Sequence, residues 1–118
     1  MMLTIRPTQF VALAEADVER FVDWMLEHLQ TFFPRQCAAA TPNNLRQTVR
    51  YGIARAAAHG FRRRQDICKY IDLMMVLERD FDTDEQYPWA GTILTELKNP
   101  ETKMGALQAA AKNHLARL

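Results

Sequence analysis

The stretch DICKYIDLMMVLERDF, Asp66 to Phe81, decides how this chain folds. Wound as an α-helix it sets Ile67, Tyr70, Ile71, Met74 and Leu77 on one broad side, and Cys68, Leu73, Met75 and Val76 fill most of what remains. Lys69, Asp72 and Arg79 share a narrow polar strip, with Glu78 near the apolar side. A helix that is apolar nearly all round has to be surrounded by other elements. The sequence therefore predicts an all-α, single-domain bundle of about five helices around a central apolar helix over about 65–79, the one domain taking in residues 1–118.

Working outward, the prolines punctuate the chain. Pro7, Pro42, Pro88 and Pro100 stand where a first helical turn begins, a position at which the missing N–H costs nothing. Pro34 follows a helical pattern and ends it. The first helix is expected from about Pro7 to Phe33, with Phe10, Leu13, Ala14, Val18, Phe21, Trp24, Met25, Leu29 and Phe32 on its apolar arc. His28 projects into that arc as a packing residue. Residues 34–41 read as a linker with at most one helical turn. Thr41 and Pro42 then cap a second helix, closed near His59 by Gly60. Gly52 costs about 1 kcal/mol in a helix interior relative to alanine. Its place on a small-residue face predicts close approach by a neighbour, the central helix.

Beyond the central helix, Asp80, Asp82 and Asp84 alternate through an acidic turn expected to cap the helix that Pro88 opens. A calcium-loop reading fails there, because the turn glycine is Glu85 and the bidentate glutamate is Gly91. Trp89, Ala90, Ile93, Leu94 and Leu97 face inward from that fourth helix. A fifth begins at Asn99-Pro100 with a narrow stripe of Met104, Leu107, Ala111, Leu115 and Leu118, free to dock late or on another molecule.

Composition bounds the class. Hydrophobic content of 48% with 25% charged residues is that of a globular domain, and no apolar run approaches the ~20 residues needed to span a bilayer. Met1 to Thr8 lacks the features of a signal peptide, and Cys37 and Cys68 do not suggest a secreted disulfide framework. A cytoplasmic protein is the expectation. The net charge of +1 disfavours a global nucleic-acid or membrane field. Its layout is uneven: residues 41–70 hold seven basic residues against Asp66 alone, and residues 71–101 hold eight acids against Arg79 and Lys98. That layout fits either intramolecular complementarity, two partner surfaces or solvated faces.

Catalytic chemistry is hard to place. The chain contains no serine, no glycine-rich phosphate loop, and no zinc spacing among His28, His59, His114, Cys37 and Cys68. Catalytic, cofactor and metal residues are accordingly expected to be none. Nucleic-acid binding through Arg46, Arg50 and the Arg62–Arg64 triplet is disfavoured, since the helix after the triplet is too apolar to read bases. A protein-interaction module remains, with Arg46, Arg50, Arg62, Arg63 and Arg64 on a basic strip, Asp82 and Asp84 on an acidic one, and Tyr87 and Trp89 as hot-spot residue types.

The residues Tyr51-Gly52-Ile53 with Ala56 and Gly60, Asp66 to Leu73, Phe81-Asp82 and Pro88-Trp89-Ala90 resemble a loosely defined family of small helical proteobacterial proteins. Members are often encoded beside type VI secretion toxins and their chaperones. The similarity covers about residues 5–110 and carries no established catalytic or binding residue. What it implies is an accessory adaptor or co-chaperone, with a secreted effector or its chaperone as partner. An immunity protein for a neighbouring toxin is the alternative, and a homodimer is compatible with the alanine-rich last helix.

Overall fold

A computed structural model describes residues 15–118 of the chain. Helix α1 spans Glu15–Phe32, α2 Pro34–Ala38, α3 Pro42–Ala58, α4 Arg64–Val76, α5 Pro88–Glu96 and α6 Pro100–Ala116. No strand occurs among these residues, and none of their helices is long and apolar enough to cross a membrane. The expected opening of the first helix at Pro7, with Phe10, Leu13 and Ala14, lies outside the described residues.

Local chemistry accounts for the boundaries. Thr41 accepts the Asn44 N–H at 3.1 Å and Pro42 follows it; Asn99 accepts from Glu101 and Thr102 before Pro100. Both are the N-terminal signals read in the sequence. At the end of α3, Gly60 adopts φ 90°, and the Phe61 and Gly60 N–H groups bond the Ala56 and Ala57 carbonyls. That left-handed closure requires glycine. Pro34 does more than end α1, since it opens the five-residue α2 that seats Cys37 in the core. With this short element the described residues form six helices, against the expected bundle of about five.

The central helix is α4, which packs against α3 and α6, while α1 lies on α3 and α5 on α6. A Cβ built on Gly52 would stand 2.6 Å from Ile71 Cγ1 and 2.9 Å from Met74 Sδ. Any larger residue at position 52 would force Ile71 and Met74 to shift, the close α3–α4 approach that the small-residue face of α3 predicts. Ile67, Tyr70, Ile71, Leu73 and Met74 are buried, and the helix stops at Val76, earlier than the expected 79. Turns around Asp80 reverse the chain, with Thr83 and Asp84 N–H groups on the Asp80 carbonyl. The reversal brings Phe81 inward against Tyr70, ring centroids 5.0 Å apart. Such a pair contributes about 0.5–1.5 kcal/mol beyond its buried area.

Two expectations about faces are corrected. The apolar arc expected of the first helix includes Trp24 and Phe32, but they are 52% and 66% exposed. The buried stripe of α1 is Val18, Phe21, Val22, Met25 and Leu29, so the covered face turns toward Val22 and leaves the Trp24 edge outside. The acidic turn does not cap α5 either. Tyr87 is the N-cap and no side chain bonds there; Asp84 instead accepts the Gln86 N–H at 2.8 Å. The last helix docks through Lys103, Met104, Leu107 and Ala111, while Leu115 and Leu118 remain exposed.

Candidate functional site

The uncovered edge of α1 and the polar strip of α4 face one another across a groove of about 510 Å³. From α1 come Phe21, Trp24 and His28, one helical turn apart, and from α4 come Arg64, Cys68 and Asp72 at the same spacing. The rings form a ladder along α1: Phe21 to Trp24 at 6.1 Å, Trp24 to His28 at 5.2 Å, and His28 to Phe32 at 4.8 Å. That ladder fixes the imidazole plane and aims one ring edge at α4.

His28 Nε2 lies 2.9 and 3.1 Å from the two Asp72 carboxylate oxygens and 3.6 Å from Cys68 Sγ. The donor atoms of His28, Cys68 and Asp72 all fall within 4.8 Å of one another. Burial pushes the Cys68 thiol up to about 11, helped by the Asp72 charge and opposed by Lys69. Burial also raises the Asp72 carboxyl above its usual range, an effect that His28 only partly offsets. A thiol–imidazole–carboxylate relay needs the sulfur and the carboxylate on opposite ring nitrogens. Here both meet Nε2, so the imidazole cannot accept a proton from Cys68 while Asp72 orients its far side. Three unlike donors converging on one point suit a cation better than a proton relay.

Sequence reading singled out none of these three as a site. The sequence points to His28 as a packing residue and to Cys68 as core, and the i, i+4 spacing of Cys68 and Asp72 is the one signal it carries. Nothing in the order of the chain shows that residue 28 faces residues 68 and 72.

The residues singled out in the sequence are scattered, and several are engaged within the molecule. Arg46 bonds Glu19 at 2.6 Å and Asp23 at 2.9 Å, and Arg50 also pairs with Glu19. Arg63 holds buried Asp66 at 3.0 Å and reaches Glu101 at 3.7 Å, so this member of the triplet is engaged within the molecule. Arg62 is exposed beside Arg63 and Asn99 in a shallow depression. Arg64 lies 5.9 Å over the Phe21 ring at one end of the groove.

Asp82 is buried, contrary to its place on a surface acidic strip. It accepts from Arg55 Nε at 3.0 Å and His59 Nε2 at 2.8 Å. Burial alone would raise its pKa, but these hydrogen bonds and charges outweigh that and hold the carboxyl below the usual range. Tyr87 is buried and half-buried Trp89 meets it at 6.0 Å; with His114 they join α5 to α6. Asp84 stays at the acidic turn. Comparison with protein-family models, with curated proteins and with solved structures gives no match to this chain.

Proposed function

We propose that this chain is a non-enzymatic protein-interaction module, an accessory adaptor or co-chaperone that seats its partner along the α1–α4 groove and onto α6. The observation that carries the reading is Trp24, a large aromatic ring 52% exposed at the edge of a concave apolar surface. Phe32, Val76 and Leu115 extend the same apolar exposure, and the groove continues between α4 and α6 past Lys69, Val76 and Lys112. Exposed apolar surface of this kind marks binding sites, and tryptophan is enriched where binding energy concentrates.

Charge narrows the partner's chemistry. Arg64, Lys69 and Lys112 line the two depressions, and the single acid among the lining residues, Asp72, is engaged by His28. The fitting occupant is an amphipathic helix whose apolar stripe is flanked by acids. A secreted effector or its loading chaperone, the partners implied by the sequence resemblance, are the candidates to supply it. Binding of the products of adjacent genes to the wild-type chain and to Trp24→Ala, measured by calorimetry, tests the reading. A loss of at least about tenfold at unchanged thermal stability is expected for a hot-spot residue. Equal binding by both chains would overturn the docking site. Protection of toxin-challenged cells, with no effect of the chain on toxin export, would replace the adaptor reading by that of an immunity protein.

A further inference from the structure

We propose that His28, Cys68 and Asp72 form a binding site for a zinc-class divalent metal ion, held by three protein donors with its remaining position open to the groove. Among the described residues this is the single constellation of three or more metal-ligating groups whose donor atoms come together. The nitrogen-to-sulfur separation matches a metal centre. With Zn–N and Zn–S lengths of about 2.05 and 2.3 Å in a tetrahedron, nitrogen and sulfur stand about 3.6 Å apart, and His28 Nε2 and Cys68 Sγ are 3.6 Å apart. Nitrogen and oxygen would stand about 3.4 Å apart, so the contacts of 2.9 and 3.1 Å to Asp72 need open only by a few tenths of an ångström.

The donor set selects the ion. One thiolate, one imidazole and one carboxylate suit zinc, and exclude the all-oxygen shells that calcium and magnesium prefer. Cys68 and Asp72 sit one turn apart on a helix packed on two sides, and the ring ladder holds His28, so the site is largely preformed. Binding breaks the Cys68 S–H bond, forms a metal–sulfur bond and releases that proton to solvent. His28 supplies the lone pair of Nε2, with its ring proton moved to Nδ1. Three protein ligands and one exchangeable position is the arrangement of open rather than closed zinc sites. The open side faces a groove lined by Trp24, Arg64 and Lys69, where an anionic ligand or a partner's side chain could complete the shell.

The proposal stands independently of partner docking, because the metal alone is the probe. The metal-free full-length chain is titrated with Zn²⁺ by calorimetry and with Co²⁺ by absorption spectroscopy. One Zn²⁺ per chain is expected, together with a thiolate-to-cobalt charge-transfer band in the near ultraviolet and intense visible bands of a four-coordinate ion. Cys68→Ser should remove the charge-transfer band and weaken Zn²⁺ binding by more than about 100-fold, beyond what loss of an outer-shell partner costs. His28→Gln should weaken binding comparably, and Cys37→Ser should change nothing. Asp72→Asn preserves the side-chain shape and gives the same test should Cys68→Ser misfold. No saturable uptake, a charge-transfer band that survives Cys68→Ser, or Zn²⁺ binding indifferent to Asp72→Asn would each overturn the site.

Discussion

Two histidine–aspartate pairs tie this bundle together, and they are built to opposite ends. His59 meets one Asp82 oxygen at 2.8 Å and His28 meets both Asp72 oxygens, at 2.9 and 3.1 Å, so the closest approaches are alike. The surroundings are not. The Asp82 side chain is 1% exposed and Arg55 braces it, whereas the Asp72 side chain is 31% exposed and has a thiol for its neighbour. The closed pair ends with its carboxyl below the usual range, and the open pair with its carboxyl above it. A guanidinium beside the imidazole makes a buried acid into a structural fixture. Without one, the acid is held less tightly and stays available to another cation.

The largest expected effect comes from breaking the closed pair. Arg55→Ala leaves the Asp82 charge buried with His59 as its remaining side-chain donor, and removing one partner of a buried ion pair costs about 3–5 kcal/mol. Urea unfolding should show that loss as a lower midpoint at an unchanged slope. Asp82→Asn should cost less, because Arg55 and His59 are partly exposed and can recover water. A cost for Arg55→Ala below about 1 kcal/mol, the range of exposed pairs, would place Asp82 among ordinary surface acids.

Gly52→Ala should come next. The added Cβ meets Ile71 and Met74 at distances that force a shift, and overpacking of this kind costs about 1–3 kcal/mol. Part is offset by the gain in helix propensity, about 1 kcal/mol. Because α3 carries Arg55 and the α3 C-cap is His59, the shift should loosen the closed pair and leave the α1–α4 pair largely in place. Amide exchange around residues 80–83 that rises no more than that around residue 28 would contradict this.

How much of this was legible follows from how local each signal is. The caps at Thr41 and Asn99, the glycine closure at Gly60 and the close approach at Gly52 depend on residues within a turn of each other or on one face, and sequence carries such information directly. Val22 and Trp24 show where it fails. The apolar arc expected of α1 includes Trp24 and omits Val22, and only tertiary packing decides that Val22 is covered and Trp24 is not. The groove was missed for the same reason, since His28 and Asp72 lie 44 positions apart. Asp82 looked like one of three equivalent turn acids until the inward reversal at Phe81 carried it into the core.

Acidification separates the pairs by sign. Asp82 has a depressed native pKa, so its contribution is fully present above the unfolded value, near the ordinary 3.8, and is lost as pH falls through the native value. Asp72 has a raised native pKa, so the folded state takes up its proton first and this group favours folding as pH falls toward 3.8. His28 and Cys68 bring titratable atoms close to it, and Arg64, Lys69 and Lys112 line the same depressions. Between neutrality and pH 4, wild type should therefore gain stability relative to Asp72→Asn. Below pH 4 it should lose stability relative to Asp82→Asn. Thermal melts of the three proteins across that range give both differences, and equal slopes throughout would remove the distinction.

The smallest effect is the most telling. At neutral pH, without added metal, Asp72→Asn should leave stability within about 0.5 kcal/mol of wild type, the range of unremarkable surface substitutions. The hydrogen bond to His28 is worth about 1 kcal/mol, but the half-buried carboxylate carries a desolvation cost that the amide does not, and the two offset each other. With Zn²⁺ present, wild type should melt higher while Asp72→Asn stays where it was, since a ligand stabilises only the chain whose folded state binds it. A side chain nearly neutral for the empty fold and decisive for the metal-loaded one is what an open pair predicts. Should Asp72→Asn cost as much as Arg55→Ala, both pairs would be fixtures of the bundle, and the groove would have to be explained without them.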